Sequence, residues 1–247
     1  SNYTLQVTRL RLQWTDRAYV NVSYQETIPA LTTVTKNYDK RKVSIKGPNE
    51  TTYTELTANA NNIYYPTNSD DQIYSAYTEI TDYVRTNGLG EYFVADLALR
   101  EGDPDGTGYF GGWGMVVVYE NTKMKWRDIT VFDGYAYVVA NNDNEFTIEV
   151  DGFNSTQNGD VNVKLGMMAS EGDVAFDGDT FQIENRNTNT FTSLSHSGNE
   201  TDNFFNSSIN TGGNPRNPFL TNNTGMDISM FNIDNTENSV IHNNQTN

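Results

Sequence analysis

The sequence predicts an all-β fold: a β-sandwich, jelly-roll-like, with one amphipathic helix near 70–86 and a loop-rich carboxy-terminal arm. Three observations lead there. Short runs rich in Val, Ile, Thr, Tyr and Phe recur along most of the chain, separated by Gly, Asn and Asp turn signals. Only one stretch shows a convincing helical period. The 247 residues include no cysteine, so apolar burial rather than a disulfide framework must hold the fold.

Taken in order, the elements justify that reading. Leu5, Val7, Leu10, Leu12 and Trp14 alternate with polar residues, and the pattern resumes at Tyr19–Val22. Thr33–Asp39 is polar and reads as a connection. Lys42–Ile45, the turn Gly47-Pro48-Asn49 and Thr52–Leu56 together predict a hairpin. Over Asp70–Arg85 the spacing of Ile73, Tyr77, Ile80 and Val84 predicts a helix, capped by Ser69 to Asp71 and stopped by Asn87-Gly88. Glu91–Leu99 reads as a strand. The densest apolar block follows at 111–139. Met115–Tyr119, Ile129–Phe132 and Tyr135–Val139 should be central strands, with Trp113, Val116–Val118, Ile129, Val131 and Phe132 in the core. Glu145–Val150, Val161–Met168 and Thr180–Glu184 are further strands.

Beyond Asn185 the texture changes to Asn, Ser, Thr and Gly with apolar islands at Phe191–Leu194, Phe204-Phe205, Ile209, Phe219-Leu220 and Met226–Ile233. The expected organisation is a sandwich domain over 1–190 and an arm over 191–247 that packs on it, the domain continuing past the last residue. The first residues are no signal peptide, which fits a processed chain or a piece of a longer one.

Charge narrows the partners. Lys and Arg number 16 against 32 Asp and Glu, a net charge of −16. That balance argues against nucleic acid and against an anionic membrane surface. No apolar run approaches a membrane span, so direct membrane insertion is not expected.

Catalytic signals are weak. A serine triad needs a histidine base, and His196 and His242, the two present, lie in the Asn-rich segment away from any nucleophile elbow. In so acidic a chain a pair of carboxylates for glycoside hydrolysis can always be named, so such a pair carries no information. The chain is therefore read as a non-enzyme. Calcium is the expected cofactor, because hard cations take six to eight oxygen ligands from carboxylates and loop carbonyls. Two loops offer them: Asp103 and Asp105 in EGDPDG, and Glu171, Asp173, Asp177 and Asp179 in EGDVAFDGD. Aromatic residues make up 12 % of the chain. Tyr64, Tyr109 and Trp126 lie in or beside predicted loops, where a sugar ring could stack on them.

The central block also carries a resemblance. GGWGMVVVYEN at 111–121 with WRDITVFDGYAYV at 126–138 is similar to a module of very large secreted bacterial surface proteins. YVRTNGLGEYFVAD at 83–96, KLGMMASEGDVAFDGDTF at 164–181, FFNSSI at 204–209 and TGMDISMFNIDN at 224–235 resemble the module's other segments in the same order. The amino-terminal strand departs from it, with RLQW at 11–14 where the module has L-Y-W-G-G. The resemblance covers about Leu10 to Asn244. It implies β-rich modules within adhesin-like proteins, many from Bacteroidota and exported by the type IX secretion pathway of gliding-motility adhesins. The expected function is a structural or adhesive module, extracellular and at the bacterial cell surface. Its expected partners are neighbouring domains or subunits of one assembly, and surface glycans. The competing classes are a carbohydrate-binding module and a secreted glycan-active enzyme.

Overall fold

A computed structural model describes residues 6–17, 21–27, 33–64, 73–99, 110–136, 138, 145–170, 172–211 and 218–244; over 6–17, 21–27 and 33–37 it describes the backbone alone. The chain is all-β in class, with several antiparallel sheets and one α-helix among the described residues. It divides into two compact units. One holds residues 1–125 and 133–146, the other 126–132 and 147–247.

In the first unit, β1 (Gln6–Arg17) lies between β7 (Ile73–Glu79) and β9 (Gly111–Glu120), antiparallel to both. The short β6 (Ile63–Tyr64) completes a four-stranded sheet of order β6-β7-β1-β9. Strand β2 (Asn21–Thr27) pairs with β3 (Thr33–Asp39), so the segment read as a polar connection is a strand. The predicted hairpin forms: β4 (Lys42–Lys46) pairs with β5 (Thr54–Thr57), and β8 (Phe93–Ala95) adds to the other side of β4.

Val43 and Ile45 of β4 pack with Ala58, Tyr74, Ala76, Ile80, Val84 and Ala98 to make this unit's core. Ile45 is fully buried, as expected for a β-branched residue on the inner face of a strand with neighbours on both sides.

The predicted helix is the clearest correction. Residues 73–79 form a strand, and only Thr81–Asn87 is helical (α1). Ile73, Tyr74, Ser75 and Ala76 are all buried, so both faces of β7 are covered and the alternation that marks a half-exposed strand is absent. Without it, chance spacing of Ile73, Tyr77, Ile80 and Val84 imitates a helix. The helix that does form is anchored by Tyr83, whose hydroxyl donates to Glu50 Oε2 and accepts the Gly47 N–H at 2.9 Å. Burial, then the Glu50 carboxylate, pushes the Tyr83 phenol up to about 12.

The block at 111–139 is also placed differently from expectation. Strand β9 forms, but at the edge of its sheet, with Val116, Val117 and Tyr119 exposed. Residues 129–132 and 145–150 form no strand, and Ile129, Phe132, Phe146, Ile148 and Val150 are exposed. Among the described residues of this block, Trp113 and Met115 pack against the core of the first unit. Local pattern supplies strand-competent residues, but a strand exists only where another strand accepts its ladder.

In the second unit, β14 (Met226–Ile233) is the middle strand of a three-stranded sheet. It is antiparallel to β10 (Val163–Ser170) and parallel to β13 (Ile209–Thr211). A separate hairpin joins β11 (Gln182–Asn185) to β12 (Thr190–Ser193) through a turn that Asn185 Oδ1 holds by accepting the Asn187 amide at 3.0 Å. Leu194, Phe204, Phe231 and Ile233 form the core, with Phe181 and Phe205 packed beside them. Phe204 is its hub, with ring centroids 5.2 Å from Phe181, 5.3 Å from Phe205 and 5.8 Å from Phe231.

Candidate functional site

Strand β14 alternates along most of its length, and its inward side chains are Asp227, Ser229, Phe231 and Ile233. Two polar residues therefore share a face with two core hydrophobes. Asp227 is fully buried. Its Oδ1 accepts the Ser208 N–H at 2.9 Å and its Oδ2 the Ser207 N–H at 3.1 Å. These bonds stabilise the carboxylate, but burial is the larger effect. The carboxyl is pushed up to about 6, and the charge of Asp179 adds to the rise.

The acidic loop closes over this carboxylate. Gly172 lies so near that a Cβ there would sit 1.9 Å from Asp227 Oδ2 and 2.4 Å from the Phe205 carbonyl oxygen. The Gly172 amide donates to Gly225 O at 3.3 Å, and the Asp173 amide to Phe205 O at 3.0 Å. Asp179 Oδ1 accepts the Phe205 N–H at 2.8 Å. Asn203 donates to Val174 O and to Asp177 Oδ1, each at 3.4 Å. The loop and the 203–208 segment are thus stitched together by backbone and side-chain bonds, with one buried carboxylate beneath.

Asn199 and His196 extend the cluster. Asn199 is buried, and its Nδ2 donates to Phe204 O at 2.7 Å and Ser208 Oγ at 2.9 Å. Phe204 O can only accept, so the nitrogen must face it. Asn199 Oδ1 then has no partner among the described residues, at a cost of roughly 1–3 kcal/mol. His196 stacks on Phe231 at 4.7 Å, and its Nε2 lies 3.0 Å from Ser229 Oγ. Burial holds this imidazole below its usual range. A Ser–His pair with an Asp two residues from the serine has the composition of a hydrolase triad. Its geometry is different, because both Asp227 oxygens accept backbone amides and Ser229 is buried.

Of the sequence-predicted calcium ligands, Asp173 and Asp177 are exposed and Asp179 is half-buried on the Phe205 amide. Glu171, Asp103 and Asp105 lie outside the described residues, as does Tyr109. Among the described residues no three acidic or histidine side chains come together as a metal-holding group. Tyr64 is half-buried, stacked on Tyr77 at 6.3 Å with its hydroxyl 3.5 Å from Asp133 Oδ2. Trp126 is 85 % exposed.

Asp227, Ser229, Asn199 and Gly172 were not singled out from the sequence. One signal was available: Asp227 and Ser229 have the same parity as Phe231 and Ile233, which places them inward on a strand. Comparison with known protein families, curated proteins and solved structures gives no match of any of the three kinds.

Proposed function

We propose that the chain is a non-catalytic structural or adhesive module of a large secreted bacterial cell-surface protein or filament. In this reading it is a jelly-roll-like sandwich engaged in surface attachment or gliding. One observation carries it. Three of the segments that carry the resemblance, over 172–181, 204–209 and 224–231, meet at Asp227, where the Asp179 and Asp227 carboxylates accept backbone amides. Side chains spent on bracing loops suit a module that resists deformation. The residues with the composition of a triad brace the same cluster. The test is the parent gene product together with its location. Tandem modules over a very long chain, labelled by antibody on unpermeabilised cells, are expected. An isolated secreted domain that turns over a polysaccharide, with turnover lost on changing one carboxylate, would overturn the reading.

Calcium belongs to this proposal as a stabiliser of the loops at 101–106 and 171–179, where oxygen donors are dense. A chelator should lower the Tm and added calcium restore it; identical melting curves across that titration remove calcium from the reading.

A second reading, glycan binding, is favoured by the exposure of Trp126. Water leaves the broad apolar face of an indole unsatisfied, and a sugar ring offers a matching apolar face. Loss of glycan-array binding in Trp126→Ala would support it.

A further inference from the structure

Two segments of the second unit each lack what the other offers. The first is β10, at one edge of the β10-β14-β13 sheet. In an antiparallel pair, alternate residues of a strand turn their N–H and C=O groups away from the partner. Those of β10 that face away from β14 meet no hydrogen-bonding partner among the described residues. Natural edge strands are usually blunted by prolines, bulges or charges. Strand β10 has neither proline nor bulge, and its one charge is Lys164. That lysine is exposed and makes no ion pair among the described residues. On the opposite face of the strand, Val163, Leu165 and Met167 pack against the core.

The second segment is residues 147–151, TIEVD. Ile148 and Val150 alternate with polar residues as in a half-buried strand, yet they are 60 % and 51 % exposed. No described residue bonds to the backbone of this segment. The chain just beyond it is held by another partner: Gly152 O accepts the Thr130 hydroxyl at 3.1 Å, and the Asn154 N–H goes to the Asp128 carboxylate. The segment thus has strand chemistry and no ladder, while β10 has an open ladder and no strand. Set antiparallel with Glu149 opposite Lys164, the two patterns coincide. Ile148 then lies opposite Leu165 and Val150 opposite Val163 on the core side, while Glu149 and Lys164 share the solvent side. We infer that β10 accepts residues 147–151 of a second copy of this chain, extending the three-stranded sheet by one strand. Each copy carries both donor and acceptor, so the same contact serves every copy in the assembly. The net charge of −16 opposes association, but beyond about 8 Å that repulsion is screened at physiological salt. The inference goes beyond the module reading and does not depend on it, because its test reads assembly in solution alone.

The chain has no cysteine, so introduced thiols report the contact without background. Directly opposed residues have Cα atoms about 4.5–5.5 Å apart, within disulfide reach. Glu149→Cys and Lys164→Cys chains, mixed and oxidised, should give a disulfide-linked dimer in several-fold excess over either variant alone. Light scattering of the unaltered chain should show assembly that strengthens with added salt. Ile148→Lys should weaken that assembly at least roughly tenfold. Its circular dichroism should not change, because the side chain it replaces is exposed. A chain that is monomeric at every attainable concentration overturns the inference, as do equal disulfide yields in the mixed and single samples. A chain carrying both Glu149→Cys and Lys164→Cys supplies the remaining check. Thiols that close within one such chain at high dilution would make the donor the chain's own segment and overturn the second copy. Assembly that survives Ile148→Lys would lie elsewhere on the molecule and overturn the site.

Discussion

Asp227 is gripped by two backbone amides and covered by a glycine whose Cα leaves no space for a methyl group. Two predictions belong to this residue and its neighbour. Gly172→Ala should cost on the order of 3 kcal/mol, measured by denaturant unfolding, because its Cβ meets a buried carboxylate and a backbone carbonyl that cannot both move aside. Gly178→Ala is the control. No atom lies within 4 Å of its Cβ and only its φ of +119° opposes the change, so it should cost about 1 kcal/mol. Equal losses at the two sites would refute the crowding argument.

The second prediction concerns pH. The folded carboxyl of Asp227 titrates near 6, above its ordinary 3.8. Folding therefore favours the protonated form, and this contribution is complete below about pH 4 and lost as pH rises through 6. Wild type should gain stability relative to Asp227→Asn as pH falls from 7 to 4, by a total on the order of 2–3 kcal/mol. Parallel stability–pH curves for the two proteins would show that Asp227 is not the group responsible. A period-two reading of Met226–Ile233 makes the inward position of Asp227 legible. That the Ser207 and Ser208 amides meet it there is not legible, since the chain between them does not encode its own path.

Among the elements, apolar content proved a poor guide to which strands are central. Ile45 lies in a middle strand and is fully buried, whereas Val117 lies in an edge strand and is 45 % exposed. Ile45→Ala should cost roughly 2–5 kcal/mol and Val117→Ala less than about 1 kcal/mol, read as shifts in denaturation midpoint at constant slope. From sequence alone the reverse ranking is expected, because MVVVY is the denser run. The β4–β5 hairpin was readable because a Gly-Pro-Asn turn joins two adjacent runs. Strand β7 was not, because burial on both faces removes the period that would announce it.

At the scale of the whole molecule, charge is the property that sequence fixes and folding only distributes. A net charge of −16 repels itself most in the compact state. Raising salt from roughly 0.01 to 0.15 M shortens the Debye length from about 30 to 8 Å and should raise the Tm. A Tm that falls over that range would mean that attractive ion pairs outweigh the repulsion. The exposed pairs Lys42–Glu55 and Arg85–Asp82 are too solvated to do so.

By itself the sequence determined the class of this protein. Strand-forming residues between turn signals, with no cysteine, leave an all-β fold held by apolar packing, and the balance of acids sets how that fold meets its surroundings. Only the tertiary structure decided which strands lie inside, that residues 73–79 extend rather than coil, and that three distant segments close on Asp227. The physical reason is that propensity and alternation are local, while burial and ladder pairing depend on neighbours distant in the chain.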